Sequence, residues 1–280
     1  MPTPDRSHPL NTLQHPWQRP WQRSWRPLNP PLRDWRGKRV WLVGAASGIG
    51  LALADALIAA GAQVAVSARR EALLQQHFAG RALVLALDVT DAAATRAAAQ
   101  QLQQDWQGID VVMALAGDYL PMSVQALDLP RAQQIVAVNL QGVLNLLAAV
   151  KDDLLTHGSG HFSIVASVAG YGGLPNSLAY GASKAGAINL AQSLWLELRA
   201  AGIGVSVINP GFVATPLTAG NTFPMPFLIS TEQAVQQILR GLARGEFEIH
   251  FPKTFSRLLK LINLLPHRWY FAVVRRITGV

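Results

Sequence analysis

Arg39-Val40-Trp41-Leu42-Val43-Gly44-Ala45-Ala46-Ser47-Gly48-Ile49-Gly50 decides the fold of this chain. The run over 39–43 reads as a short buried strand, and the glycine turn after it opens a helix predicted over about 49–60. At Gly44, Gly48 and Gly50 a side chain would block the turn, the approach of a pyrophosphate to backbone N–H groups, or close helix–strand packing. Gly61 ends the helix, and 63–67 reads as a second strand, completing a unit of βαβ proportions. The alternation continues, with strands predicted over 82–87, 111–115, 161–165 and 204–208. Between them come helices over 71–78, 91–106, a long one from Leu129 toward Leu155, and 180–200. Short apolar strands alternating with helices imply a parallel sheet covered on both faces. The right-handed crossover rule then makes it an α/β, Rossmann-type doubly wound sheet in a single domain.

The chemistry sits downstream, in Tyr180-Gly181-Ala182-Ser183-Lys184. A phenol and an ammonium four residues apart share one face of a helix. The lysine charge is expected to favour the phenolate and draw the tyrosine pKa down from ~10, so that the phenol can exchange a proton with a substrate oxygen. Ser167, in Ser167-Val168-Ala169-Gly170, precedes Tyr180 by thirteen residues, room for a strand end, a loop and a helix start.

The glycine turn, Asp88-Val89, Asn139, Ser167, Tyr180, Lys184 and Asn209-Pro210-Gly211, in this order and spacing, resemble the short-chain dehydrogenase/reductase family over roughly Lys38 to His250. The resemblance implies that Tyr180 is the general acid in carbonyl reduction and the base in alcohol oxidation. It gives Lys184 to the nicotinamide ribose and to the tyrosine, and Ser167 to the substrate oxygen as charge develops there. It makes Asn139 the residue that interrupts the long helix and holds a water linking the lysine to solvent. Cofactor binding is then expected from Gly44, Ser47, Gly48, Ile49 and Gly50 in the turn and Asp88 and Val89 beside the adenine. Ala116, Gly117, Tyr180, Lys184, Pro210, Gly211, Val213 and Thr215 are expected around the nicotinamide half. Two positions depart from the family pattern: Val43 replaces the usual threonine, and Ala114-Leu115-Ala116-Gly117 replaces Asn-Asn-Ala-Gly.

Cofactor choice is read after the second strand. NAD-binding folds place an acid there for the ribose hydroxyls; this chain has Ala68-Arg69-Arg70. A guanidinium binds a 2′-phosphate that an acid would repel, so Arg69 and Arg70 favour NADP(H). The segment 216–229, with Leu217, Phe223, Met225, Phe227 and Leu228, carries no charge. With Tyr119, Leu120, Tyr171 and Leu174 it suggests a lipophilic ketone, aldehyde or secondary alcohol as substrate, and a role in lipid metabolism; core packing or a subunit contact is the alternative use of these side chains. Reduction of an acyl group on an acidic carrier protein, and a non-catalytic NADP-binding scaffold, are the rival functions.

The chain has 280 residues, half of them hydrophobic, and no cysteine, which excludes disulfides and thiolate chemistry. No metal site is expected. The net charge of +8 belongs to the ends: residues 1–39 and 249–280 each sum to +6 and the middle to −4, so the high pI does not signal nucleic-acid binding. Residues 1–36, rich in Pro, Arg, Gln and Trp with a Trp17-Gln18-Arg19, Trp21-Gln22-Arg23 beat, read as a flexible leader, or as an aromatic-basic segment that touches an anionic membrane surface or folds along its own domain. Residues 37–252 form the oxidoreductase domain, and 253–280 a basic amphipathic helical extension. That extension reads either as a cap or dimer contact, or as a helix lying on a membrane surface. No run of about 18 apolar residues and no apolar leader segment occurs, so a cytoplasmic homo-oligomer, peripheral at most to a membrane, is expected.

Overall fold

The computed structural model describes residues 27–221 and 223–279. Seven strands form one parallel sheet: β1 (Arg39–Val43), β2 (Gln63–Ala68), β3 (Leu83–Ala86), β4 (Val111–Ala114), β5 (Gly160–Val165), β6 (Ile203–Pro210) and β7 (Glu248–Phe251). Their order is β3-β2-β1-β4-β5-β6-β7. Nine helices complete the described chain: α1 (Gly48–Ala59), α2 (Glu71–Phe78), α3 (Ala92–Trp106), α4 (Leu129–Val136), α5 (Gly142–His157), α6 (Leu178–Leu198), α7 (Thr231–Arg244), α8 (Lys253–Asn263) and α9 (His267–Thr278).

β1 shows how the sequence builds two layers. Its side chains alternate, so Trp41 and Val43 enter the core on the side of α3, α5 and α6, while Val40 and Leu42 enter the core beneath α1 and α7. Both cores are closed by aliphatic side chains, which is why the strands read as continuous apolar runs. The strand order reverses between β1 and β4, where β1 pairs Val40 with Val111 and Val43 with Ala114. The crevice at the C-terminal ends of these strands is where a doubly wound sheet takes its ligand.

The long helix from Leu129 is interrupted as expected. A π-helical turn, Ala137–Gln141, separates α4 from α5 and carries Asn139. The continuous stretch 129–157 is long and apolar enough to cross a membrane. It is nevertheless a core element here, with Ile135, Leu146, Val150 and Leu154 buried and the Asp153 carboxylate accepting from Ile109 N at 3.1 Å.

Three features differ from the sequence reading or extend it. α7 and β7 go unread in the sequence, although Ser230 and Gln233 form a reciprocal capping box at the start of α7. Of the leader assigned to 1–36, residues 1–26 lie outside the described residues, and 27–36 are not a flexible part of it but pack on the body. Asn29 is buried and acts as a side-chain strand partner, donating from Nδ2 to Val205 O at 2.8 Å and accepting on Oδ1 from Val205 N at 3.0 Å. Its own N–H bonds Gly245 O, Leu32 N bonds Leu242 O, and Trp35 is buried in the α1/α7 core. Proline density forbids helix in this segment but not docking of an extended chain. Finally, residues 253–278 form a helical hairpin whose inner face packs on the body through Ser256, Ile262, Tyr270 and Val274.

Candidate active site

A cleft of about 420 Å³ opens at the β1/β4 reversal. Its floor begins with the glycine turn. A Cβ on Gly44 would lie 2.3 Å from Ala116 N, and one on Gly50 would lie 2.2 Å from Gly44 O, so both positions exclude any side chain. Gly48 has φ +57 and faces Thr215. α1 starts without a side-chain cap from Ser47 and without an acid in its first turn. Its leading N–H groups are therefore open to an anion, and the helix dipole favours one there. With Val43 in place of threonine, the turn is tied to the sheet by backbone, Gly44 N donating to Ser67 O at 2.7 Å and Leu115 N to Val43 O at 2.8 Å.

Next along the cleft lie Ala68, Arg69, Arg70, Asp88 and Val89. Thr90 donates to Asp88 Oδ1 from both N, at 2.9 Å, and Oγ1, at 2.7 Å. Burial raises the pKa of Asp88, but these bonds and the Arg69 charge hold it below the usual carboxylate range. Arg69 also lowers Asp118, whose larger partner is Arg131, bonded to it at Oδ1 over 2.6 Å and at Oδ2. Arg69 and Arg70 are exposed at the cleft rim.

At the other end Ser167, Tyr180 and Lys184 line the same cleft, with Ala116, Gly117, Pro210, Gly211, Val213 and Thr215. Every residue the sequence assigned to catalysis or to the cofactor therefore lies on this cleft, except Asn139, which stands behind it. Asn139 Oδ1 accepts from Asp118 N at 2.8 Å, and its Nδ2 donates to Asp118 O at 2.9 Å and to Ser183 Oγ at 3.0 Å. The asparagine thus fastens the loop after β4 to α6. A Cβ on Gly117 would sit 3.8 Å from both Asn139 Oδ1 and Lys184 Nζ, in ordinary contact, so Gly117 lies beside both groups.

The electrostatics correct one expectation. Lys184 does not depress the Tyr180 pKa: burial dominates and pushes the phenol up to about 12, against a lowering hydrogen bond from Ser167. Lys184 is itself 3 % exposed, and burial pushes it down to about 8. Its Nζ donates to Val165 O at 2.9 Å and lies 5.7 Å from the centre of the Tyr180 ring. Low polarizability around both groups favours their neutral forms more than their mutual interaction favours phenolate and ammonium. Tyr180 keeps a surface on the cleft, where it stands as a protonated acid.

The lipophilic residues divide. Leu217 lines the cleft, and Tyr119 packs edge-on against Tyr180 with ring centres 4.8 Å apart. Tyr171 and Leu174 do not line it; they border a small apolar niche of about 50 Å³ against α8 and α9. Phe223 and Phe227 pack instead on Phe212 and Phe255. Behind the Pro210-Gly211 loop lies a cluster that the sequence did not announce. Glu248 Oε1 accepts from Tyr171 Oη at 2.6 Å and from Asn209 Nδ2 at 2.9 Å, while Lys260 holds Oε2. Only the structure brings these four residues together. Thr218 was also missed: it lines the cleft and braces the Thr215 loop by donating to Val213 O at 2.6 Å.

The sequence pattern of the family described as short chain dehydrogenase matches residues 38–223. An uncharacterized oxidoreductase of Myxococcus xanthus is 36% identical over 242 residues, 84% of this chain and 96% of that protein. Among solved structures, a short chain dehydrogenase of Burkholderia cenocepacia in complex with NADP superposes with a TM-score of 0.78 at 23% identity, over 86% of this chain and 99% of that one. A short chain dehydrogenase/reductase of Burkholderia phymatum in complex with NAD gives 0.77 at 19% identity, over 83% and 95%.

Proposed function

This chain belongs to the short-chain dehydrogenase/reductase family, and on that footing we propose that it is an NADP(H)-dependent oxidoreductase of lipophilic ketones, aldehydes or secondary alcohols. The observation that carries the reading is the cleft itself: Ser167, Tyr180 and Lys184 share it with a glycine turn that excludes side chains and with two arginines at the ribose end. These residues fit a dinucleotide. The turn and the uncapped α1 N-terminus would take the pyrophosphate, Asp88 the adenine amine, and Lys184 the nicotinamide ribose. The bound nicotinamide supplies or accepts the hydride.

The chain's own groups do the rest. Tyr180, held protonated by burial, gives its proton to the carbonyl oxygen during reduction and takes it back during oxidation. The Ser167 hydroxyl donates to the same oxygen as negative charge gathers on it. Asn139 and the buried Lys184 hold the wall behind them rigid, which fixes the approach of the substrate. Leu217 and Tyr119 present apolar surface at the mouth, and no charge on 216–229 would pair with an ionic substrate.

Support for NADP(H) comes from Ala68-Arg69-Arg70, where no acid stands to meet a ribose diol. The fold serves both cofactors, as the NADP and NAD complexes of the two Burkholderia proteins illustrate. The test is NADPH and NADH oxidation with a panel of alicyclic ketones, long-chain aldehydes and an acyl thioester. The expected result is NADPH-dependent turnover of the apolar carbonyls, and a preference for the thioester would favour the carrier-protein alternative. Ala68→Asp combined with Arg69→Ile should lower the NADPH/NADH ratio of kcat/KM by ~10-fold or more, since a charge-assisted bond is lost and a like charge gained. An unmoved ratio would place the 2′-phosphate elsewhere.

A further inference from the structure

We propose that the outer face of the C-terminal hairpin, α8 with α9, is a docking surface for an anionic lipid bilayer. The inference goes beyond the reading above and holds whichever carbonyl the cleft accepts. The hairpin is two-faced. Ser256, Ile262, Tyr270 and Val274 are buried against the body, Tyr270 Oη donates to Gly173 O at 2.7 Å, and Lys260 pairs with Glu248. The helices are thus anchored, and among the described residues none covers their other side. Leu258 and Leu261, three residues apart, start an apolar stripe on the exposed side of α8, exposed Leu264 and Leu265 follow just past its C-terminal end, and exposed Trp269 and Phe271 flank the buried Tyr270 on α9. Leu264 is 80% exposed and Trp269 65%, values far from those of the buried face. In the 216–229 segment, exposed Phe227 packs on Phe255 of α8 and adds apolar surface beside the hairpin. So many exposed large apolar side chains on one short element mark an interaction site.

Charge identifies the occupant. Six Lys or Arg and no acid occur in 249–280, and exposed Arg257, Arg268 and Arg276 border the stripe. A second copy of the chain is a poor partner. A two-fold interface sets each patch against itself and would bring two such arginine clusters onto one surface, with no acid in 249–280 to meet them. An anionic bilayer meets both halves of the surface, accepting leucine and phenylalanine at the acyl boundary, tryptophan at the headgroups and arginine among the phosphates.

The test is flotation of the full-length protein with vesicles of phosphatidylcholine alone or mixed with phosphatidylglycerol. Binding is expected to the mixed vesicles only, and to weaken as salt is raised. Replacing Arg257, Arg268 and Arg276 by glutamine should weaken it on the order of a hundredfold, at about fivefold per charge. Leu261→Gln with Leu264→Gln should lower it more than ~10-fold at any salt. Circular dichroism checks that both variants fold; should the leucine variant not, the arginine variant, altered only at exposed side chains, carries the test. Absence of wild-type binding to the mixed vesicles at low salt would overturn the proposal. So would equal binding by the arginine variant, which would place the contact elsewhere. Loss of self-association in the leucine variant, with no vesicle binding by the wild type, would assign the face to a second copy.

Discussion

Lys184→Met should make the ligand-free protein more stable while removing its activity. The side chain is 3 % exposed, and burial lowers its pKa from 10.5 to about 8. At ~1.4 kcal/mol per pKa unit, housing the charged form costs about 3 kcal/mol at neutral pH. Methionine keeps most of the apolar stem and carries no charge. It forfeits the bond to Val165 O, worth ~1 kcal/mol, so a net gain of about 2 kcal/mol remains. The pH dependence has a definite sign. Between about 8 and 10.5 the unfolded chain still holds a proton that the folded one has shed, so wild-type stability rises with pH across that window. Tyr180, pushed up to about 12, acts in the opposite sense from about pH 10, where the unfolded tyrosine sheds a proton that the folded one keeps, but it does so in both proteins and cancels in their difference. Urea denaturation at about pH 7 and about pH 10 should therefore show a gap in favour of the variant that closes at the higher pH. A variant no more stable than wild type at neutral pH, or a gap indifferent to pH, would refute the claim that this lysine is held at an energetic cost.

Tyr180→Phe should lower kcat by ~10²–10⁴-fold while cofactor affinity, read by titration calorimetry, stays near wild type. Retention of more than about a tenth of the activity would remove the phenol from the proton-transfer role. Glu248→Ala strips the shared acceptor from Tyr171, Asn209 and Lys260 and should cost about 3 kcal/mol in urea denaturation, because a part-buried cation is left without its partner. Glu248→Gln, which keeps acceptors for the neutral pair, should cost less.

Much of this molecule is legible in the sequence because local pattern and global fold agree. β1 and the glycine turn need only their own residues to be read, and the strand alternation then dictates a parallel, doubly wound sheet. Tyr180 and Lys184 are legible because helical spacing alone places them on one face. Glu248 was not, since its partners come from a loop at 171, a strand end at 209 and a helix at 260, and nothing local announces their meeting. The direction of the Tyr180 shift was misread for a related reason. The lysine charge is visible in the sequence, but the burial that outweighs it is a property of the packed cleft. The segment 27–36 is ambiguous for another reason: its prolines exclude helix equally in a flexible leader and in an extended strap, and only packing shows that Asn29 and Trp35 anchor it on the body.

That strap bears on the order in which the molecule can be completed. Asn29 mimics a strand partner for Val205, 176 residues downstream, and its N–H bonds Gly245 beyond that. These bonds close only after the chain has been made past residue 245, so this early segment is among the last to find its place. Closing so long a loop has an entropic cost that rises only slowly with length, and it is met once the β6 edge already exists as a template. Final closure of this edge is thus a late, non-local event, of the kind that sets folding speed through topology rather than through the strength of any single contact.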